Sequence, residues 1–276
     1  MINISKGLDL PISGKPDLNI ADTPNVSSVS LLSNDFIGMK PTMLVREGDE
    51  VKVGTKLFED KKNEGIFFTS PAGGEIKSIN RGDKRKFLSV EIEISQNEQF
   101  IEYEFEDSND STKNNLISSG LWNAFRTRPF NRTPAINDKP NAIFINCCDT
   151  NPLSADPLNI INLDNDYFDD GLKLITKLFD CNIHLCYQSD DFECTNPQII
   201  YHQFCGPHPS GLSSTHISNI YPVNLERIVW TIGYQDIISI GYLFANNSLR
   251  TYKYISLAGP SVYEPSLLKV RVGGNI

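Results

Sequence analysis

Four histidines and six cysteines are the side chains of this sequence best suited to proton, thiol or metal chemistry. Two of the histidines, His208 and His216, stand in the stretch CGPHPSGLSSTHI, Cys205 to Ile217, which also holds Gly206, Gly211 and Thr215. Asp149 and Thr150 directly follow the apolar run NAIFINCC. Imidazole can donate, accept or carry a proton near neutral pH. Two histidines and an aspartate could also hold zinc, but their spacing follows no zinc template. The alternative is that His208 and His216 cap turns and helix ends around two prolines and a glycine. The cysteines, at 147, 148, 181, 186, 194 and 205, form no CxxC pair. Cys181 and Cys186 have the first gap of a C-x4-C-x2-C cluster run, but Ser189 occupies the next position. Reduced, buried cysteines of a cytosolic protein are expected, with no metal. Arg126, Arg128 and Arg132 form a basic group that could meet an anion or a partner, or be surface charges of an acidic protein.

A further chemical possibility lies in VREGDEVKVGTKLFEDKKNEGIFFTSPAGGEI, Val45 to Ile76. It resembles the paired hairpins of lipoyl and biotinyl domains, which carry a cofactor on a lysine. Lys61 follows Asp60 as a lipoyl lysine follows its acidic neighbour. The spacing is wrong on both sides, and no Met-Lys pair occurs within Val45 to Ile76. Lys61 and Lys62 are therefore expected to be exposed turn charges on a barrel-sandwich scaffold without cargo.

Composition narrows the function. The chain has 276 residues and a formal net charge of −9, enough for one large or two modest domains. An acidic surface argues against nucleic acid or anionic membrane as the main partner. The N-terminus lacks the apolar core of a signal peptide. The most apolar stretch, Ile228 to Ala245, is interrupted by Gln235 and Asp236 and is expected to be a half-buried soluble helix.

The elements that must position these residues follow from periodicity. Up to about Glu106 the chain reads as short strands split by glycine, proline and charge, with SVEIEI alternating as a half-buried strand. Next comes a helix capped by Ser111 or Thr112, with Ile117, Leu121, Ala124 and Phe125 on one face, stopped by Pro129 and Pro134. NAIFINCC, CNIHLCY and PQIIYHQF read as strands. Phe168, Leu172, Ile175 and Phe179 mark a helix between the first two, despite Gly171. Strand, helix, strand of this size predicts a parallel sheet. The stretch NLERIVWTIGYQDIISIGYLFANN is read as helix broken near Gly233, and the last residues return to β. His184 and His202 fall inside strands and are expected to be structural. The loops after NAIFINCC and PQIIYHQF should meet at the C-terminal edge of the sheet, where open α/β sheets bind ligands.

KGLDLPISG, SPAGGEIKSINRGDKR, SGLWNAFRTRPF, DTNPLSADP, GPHPSGLSSTHI, WTIGYQDIISIG and LAGPSVYEP, together with the hairpin stretch above, occur in this order across nearly the whole chain. In them the sequence resembles the NqrA family, the A subunits of sodium-translocating NADH:quinone reductases (Nqr). It is more distantly similar to the C subunit of the Rnf complex and the FMN-binding subunit of complex I. The resemblance implies an α/β protein with a β-rich N-terminal part. A barrel-sandwich domain without modified lysine spans 1–106, a helical connector in place of the flavin loop 107–140, a Rossmann-like parallel domain 141–250, and the first strands of a β-grasp 251–276. Because the family continues through a full β-grasp and a helical tail, the chain is expected to be a shortened member.

The resemblance also implies a peripheral subunit on the cytoplasmic side of the bacterial inner membrane. Its complex would oxidise NADH, reduce ubiquinone and export sodium, with flavins and iron–sulfur centres in other subunits and no cofactor in this chain. FMN-binding relatives carry GxGGAGFPT after an SG pair; Leu121–Phe130 here has no glycine and adds Trp122 and Phe125. The family's link to quinone makes a quinone head one candidate ligand for the crevice of Asp149, Thr150, Gly206, His208, Gly211, Thr215 and His216, beside the reading in which the two histidines only cap turns and helix ends. Two alternatives remain: a flavin- or NADH-binding oxidoreductase subunit of the Rnf C or complex I type, and a lipoyl-like carrier protein.

Overall fold

The computed structural model describes residues 1–275 except 22, 24, 194 and 195, so Cys194 lies outside the described residues. Its first two strands, β1 (Ile2–Asn3) and β2 (Asp17–Ala21), leave the N-terminal β region for sheets formed later in the chain. The sandwich itself is built from β3 (Ser28–Leu32), β4 (Pro41–Met43), β5 (Glu50–Val51), β6 (Lys56–Asp60), β7 (Phe67–Thr69), β8 (Gly74–Arg81) and β9 (Phe87–Ile94). They make two antiparallel sheets, ordered β3-β9-β8-β5 and β4-β6-β7. Alternation directs Val29, Phe58, Phe68, Ile76, Val90 and Ile92 inward, all nearly fully buried. Phe58 stacks on Phe68 with ring centroids 4.7 Å apart. Lys61 and Lys62 lie in the β6–β7 turn and are exposed.

Helix α1 (Asn109–Ser118) is capped by Ser108, whose side chain accepts from the Ser111 N–H; the cap falls earlier than Ser111 or Thr112. The helix also ends before the expected apolar face is complete. Gly120 turns at φ 80°, and Leu121–Ala124 form a short 3-10 turn. Trp122 and Phe125 enter the core from that turn, not from a continuous helix. Next come β10 (Arg126–Arg128), β11 (Ala142–Cys147), α2 (Pro157–Leu163), α3 (Asn165–Leu178), β12 (Asn182–Tyr187), β13 (Ile199–Cys205), α4 (Ser213–Ile220), β14 (Val229–Gly233) and α5 (Tyr234–Asn246). The six-stranded sheet runs β1-β13-β12-β11-β14-β10, parallel except at β10. The parallel sheet expected from the periodicity is present.

The stretch read as one broken helix is instead a strand followed by a helix. VWTIG is a β-branched and aromatic run that pairs with β11, and the helix begins only at Tyr234. Residues buried on both faces lose the helix/strand signal. Finally, β15 (Tyr252–Leu257) and β16 (Ser266–Arg271) pair antiparallel, and β2 adds in parallel to β16. The first residues thus serve the α/β and C-terminal sheets, not the sandwich. Sequence distance hid both pairings.

Candidate ligand cleft at the sheet switch point

The chain direction of the parallel sheet fixes where a ligand can enter. From β11 the chain moves through α2 and α3 to β12 on one side, and later returns through β14 on the other. Strand order reverses between β11 and β14, which opens a crevice at the strands' C-terminal ends; the helices that follow these two strands, α3 and α5, pack on each other. A cleft of about 560 Å³ occupies that place, lined by Asn146 near the end of β11, by Cys148 just after it, and by Gly233 and Tyr234 at the β14–α5 junction. The opposite wall comes from the 119–126 segment and from Phe68 to Pro71 of the sandwich, with Arg250 and Lys253 contributing further lining. The cleft lies where the sandwich, the α/β sheet and the last strands converge.

The 119–126 wall is fixed from both sides. Thr69 Oγ1 donates to the Ser119 carbonyl at 2.7 Å, and Asn123 Nδ2 donates to the Phe67 carbonyl at 2.7 Å. Trp122 Nε1 donates to the Pro134 carbonyl at 3.0 Å. The Trp122 ring packs against Phe125, Phe179 and Trp230 at centroid distances of 5.6, 6.1 and 5.6 Å. The 119–126 segment is therefore filled by core aromatics.

Several polar groups face the cleft. The half-buried Arg126 donates to Thr133 Oγ1 at 3.0 Å and to the Asn123 carbonyl, and its guanidinium lies 5.7 Å from the Phe36 ring centre. Burial lowers its pKa from the usual arginine range, and a guanidinium keeps its charge in proteins. Asn123 Oδ1 is buried without a hydrogen-bond partner among the described residues. Tyr234 has its pKa pushed up to about 12 by burial and keeps its hydroxyl proton. Lys253 pairs with Asp236 at 2.9 Å. Burial also raises the Cys148 thiol, so it is no nucleophile at neutral pH.

The structure brings together some of the residues singled out in the sequence and separates others. The loops after β11 and β13 do meet. Thr150 Oγ1 lies 3.0 Å from His208 Nδ1, which also lies 3.1 Å from the Thr150 carbonyl. Gly211 N–H donates to Thr150 Oγ1 at 3.0 Å, and Asn146 Nδ2 donates to the Gly211 carbonyl at 3.1 Å. A Cβ on Gly211 would stand 2.7 Å from the Thr150 nitrogen, which explains the glycine. The loops therefore close on each other, and the free space lies beside them. Asp149 lines a second cleft of about 400 Å³ shared with Tyr234 and Gln235. His216 is fully buried, its Nε2 2.7 Å from the Ser210 carbonyl, and Thr215 stands beside it on α4. Gly206 turns at φ 111° against Ile4. Arg126 faces the cleft, Arg128 is half-buried, and Arg132 is exposed against Gly38. No three His, Cys, Asp or Glu side chains among the described residues gather as a metal site.

Motif spacing does not mark Tyr234, Asn123 or Asn146 as site residues. The signal for Tyr234 is VWTIG followed by a polar helix start, which marks a strand's C-terminal end.

A family model described as NqrA second alpha/beta domain matches residues 107–249, and one described as NqrA N-terminal barrel-sandwich hybrid domain matches 2–95. The chain is 47% identical over 284 residues to the A subunit of the Na(+)-translocating NADH-quinone reductase of Yersinia pseudotuberculosis, and 47% identical to that of Photorhabdus laumondii. A third relative of the same name, from Glaesserella parasuis, is 46% identical over 288 residues. All of this chain is covered in each comparison, and it spans 64% of the length of these relatives. From the two domain matches, which follow the sandwich and the α/β sheet described above, the chain belongs to the NqrA family.

Proposed function

We propose that the chain serves as the NqrA component of a sodium-translocating NADH:quinone reductase, at the periphery of the complex on the cytoplasmic side of the membrane. In this role it docks other subunits and takes part at the quinone end, with no redox cofactor of its own. Family membership supports the assignment to the complex. A peripheral position is compatible with the helices: among the described residues none is long and apolar enough to cross a membrane. The absence of a flavin role is supported by the core packing of Trp122 and Phe125.

The observation that carries the quinone reading is the cleft at the β11/β14 switch point. A quinone head needs a slot with apolar walls and a few donors for its carbonyls. Phe36, Phe68 and Leu121 supply apolar wall, and Arg126 and Tyr234 are donors that keep their protons at neutral pH. The Thr150–His208–Gly211 contacts act behind this wall by holding Asn146. In this role His208 positions the wall rather than touching the ligand.

The test is titration of a short-chain ubiquinone into the assembled complex carrying Tyr234→Phe. Loss of one hydrogen bond of about 1 kcal/mol weakens quinone binding about fivefold, with an unchanged melting temperature. Unchanged affinity in the variant removes quinone from this cleft. A yellow chain that quenches flavin fluorescence would remove the cofactor-free reading.

A further inference from the structure

Away from the cleft, one end of the sandwich gathers positive charge on a chain that is acidic overall. The β8–β9 hairpin tip presents Arg81, Lys84, Arg85 and Lys86, all exposed. The 33–41 loop adds Lys40 beside it, and together they border a groove of about 470 Å³. Arg132 reaches the same end from the turn after β10, its Nε 3.4 Å from where a Cβ of Gly38 would be. Lys62 Nζ donates to the Gly38 carbonyl at 3.1 Å and joins the group.

The ion pairs found among the described residues all lie elsewhere, so they do not neutralise these cations. Asp60, the nearest buried carboxylate, is turned inward to accept the backbone N–H groups of Lys40 and Lys62, each at 3.0 Å. Asp83, Asp35 and Glu64 are the exposed acids of the same loops, so the surface remains clearly cationic.

Apolar side chains stand out among the cations. Ile37 is 54% exposed, Phe130 58% and Leu88 43%. Ile37 lines the groove with the buried Phe87 and the half-buried Met39, while Leu88 and Phe130 stand outside it, near the start of β9 and on the 128–132 turn. An acidic peptide held in the groove would leave Leu88 and Phe130 uncovered. Apolar tips projecting between lysines and arginines suit a lipid interface, where cations meet phosphates and the tips reach the acyl boundary.

We propose that this end of the sandwich, the β8–β9 tip with the 33–41 loop and the 128–132 turn, docks on an anionic phospholipid bilayer. The local patch reverses, at one place, the repulsion that the net charge of the whole chain imposes. The proposal does not depend on the quinone reading, since vesicle binding and quinone binding are read separately and either can fail alone.

Co-sedimentation of the full chain with vesicles tests it. Binding is expected to phosphatidylcholine vesicles containing about one-third phosphatidylglycerol, with none to pure phosphatidylcholine, and release in molar salt. Arg81→Glu/Lys86→Glu should lower the partition at least about tenfold, and Phe130→Ser should lower it while leaving the salt dependence. Lys6→Glu/Lys15→Glu, the same change in net charge elsewhere, should stay within about twofold of the parent. All variants are compared at matched melting temperature. Absence of binding to the phosphatidylglycerol vesicles, equal loss in the Lys6/Lys15 variant, or capture by soluble polyglutamate in place of vesicles would each overturn it.

Discussion

Single side chains in the α/β sheet show how burial sets the charge that a residue can carry. His184 Nδ1 and His202 Nε2 face each other at 2.9 Å across β12 and β13, so only one of the two nitrogens can hold the proton between them. Burial lowers the His184 pKa to about 4 and adds to the effect of its partner; burial also lowers His216 to about 4. Both rings are neutral in the folded chain at pH 6 and charge first in the unfolded chain, near 6.5. A depressed histidine pKa means that the unfolded state binds the extra proton, so their contribution is intact above pH 6.5 and is lost as pH falls towards 4. The melting temperature is expected to drop between about pH 6.5 and 5, before most carboxylates titrate. In His184→Gln the same interval should be flatter; an unchanged slope would show that the histidines do not report unfolding. Asp164 and Arg250 are another buried set: they pair at 2.6 Å, and the guanidinium stacks 4.3 Å from the Tyr252 ring centre. They tie the α2–α3 junction to the strand that follows α5.

At the scale of elements, two glycines decide how the helices meet. By propensity Gly171 weakens a helical pattern, since a mid-helix glycine costs about 1 kcal/mol. In the structure α3 and α5 pack backbone to backbone there. A Cβ on Gly171 would lie 2.2 Å from the Ile237 carbonyl, and one on Gly241 1.8 Å from the Tyr167 carbonyl. Gly241→Ala should therefore cost about 2 kcal/mol by overpacking, read as a shift of the denaturant midpoint. A neutral effect would mean that the helices can separate without loss. The polar residues that interrupt the apolar run of α5 have similar local reasons. Gln235 donates to the Tyr254 carbonyl at 2.8 Å and accepts its N–H at 2.9 Å, standing in for a neighbouring strand, while Asp236 pairs with Lys253. Both bind the last strands to the helix, and neither is a mark of a membrane span.

Over the whole molecule, contacts distant in sequence hold the three parts together. Arg271, at the end of β16, makes a bidentate pair with Glu98 at 2.6 and 2.8 Å and donates to the Pro71 carbonyl. Glu98 in turn accepts the Gly73 N–H at 2.7 Å. The last strand is thereby fastened to the sandwich, and through β2 to the start of the chain. Arg271→Met keeps the stem but removes these bonds, so the C-terminal sheet should detach first. Limited proteolysis is expected to cut within 251–275 before the sandwich, with an apparent loss of about 2 kcal/mol. Uniform cleavage across the chain would contradict this link.

The sequence alone determined the kinds of elements and their local order. Alternation in SVEIEI, the apolar runs NAIFINCC and CNIHLCY, and the spacing Phe168–Leu172–Ile175 depend only on neighbours within one strand or helix. The ordered motifs likewise carried the family. Tertiary structure decided what depends on distant neighbours: that residues 2–3 and 17–21 pair with β13 and β16, that VWTIG is a buried strand, and that Ser108 is the cap. It also decided that Thr150 and His208 close on each other, so that the open space lies beside Asn146 and Tyr234. Periodicity records which side of an element is apolar. It holds no record of which surface, far away in the chain, will cover that side, and the cleft exists only where three such surfaces meet.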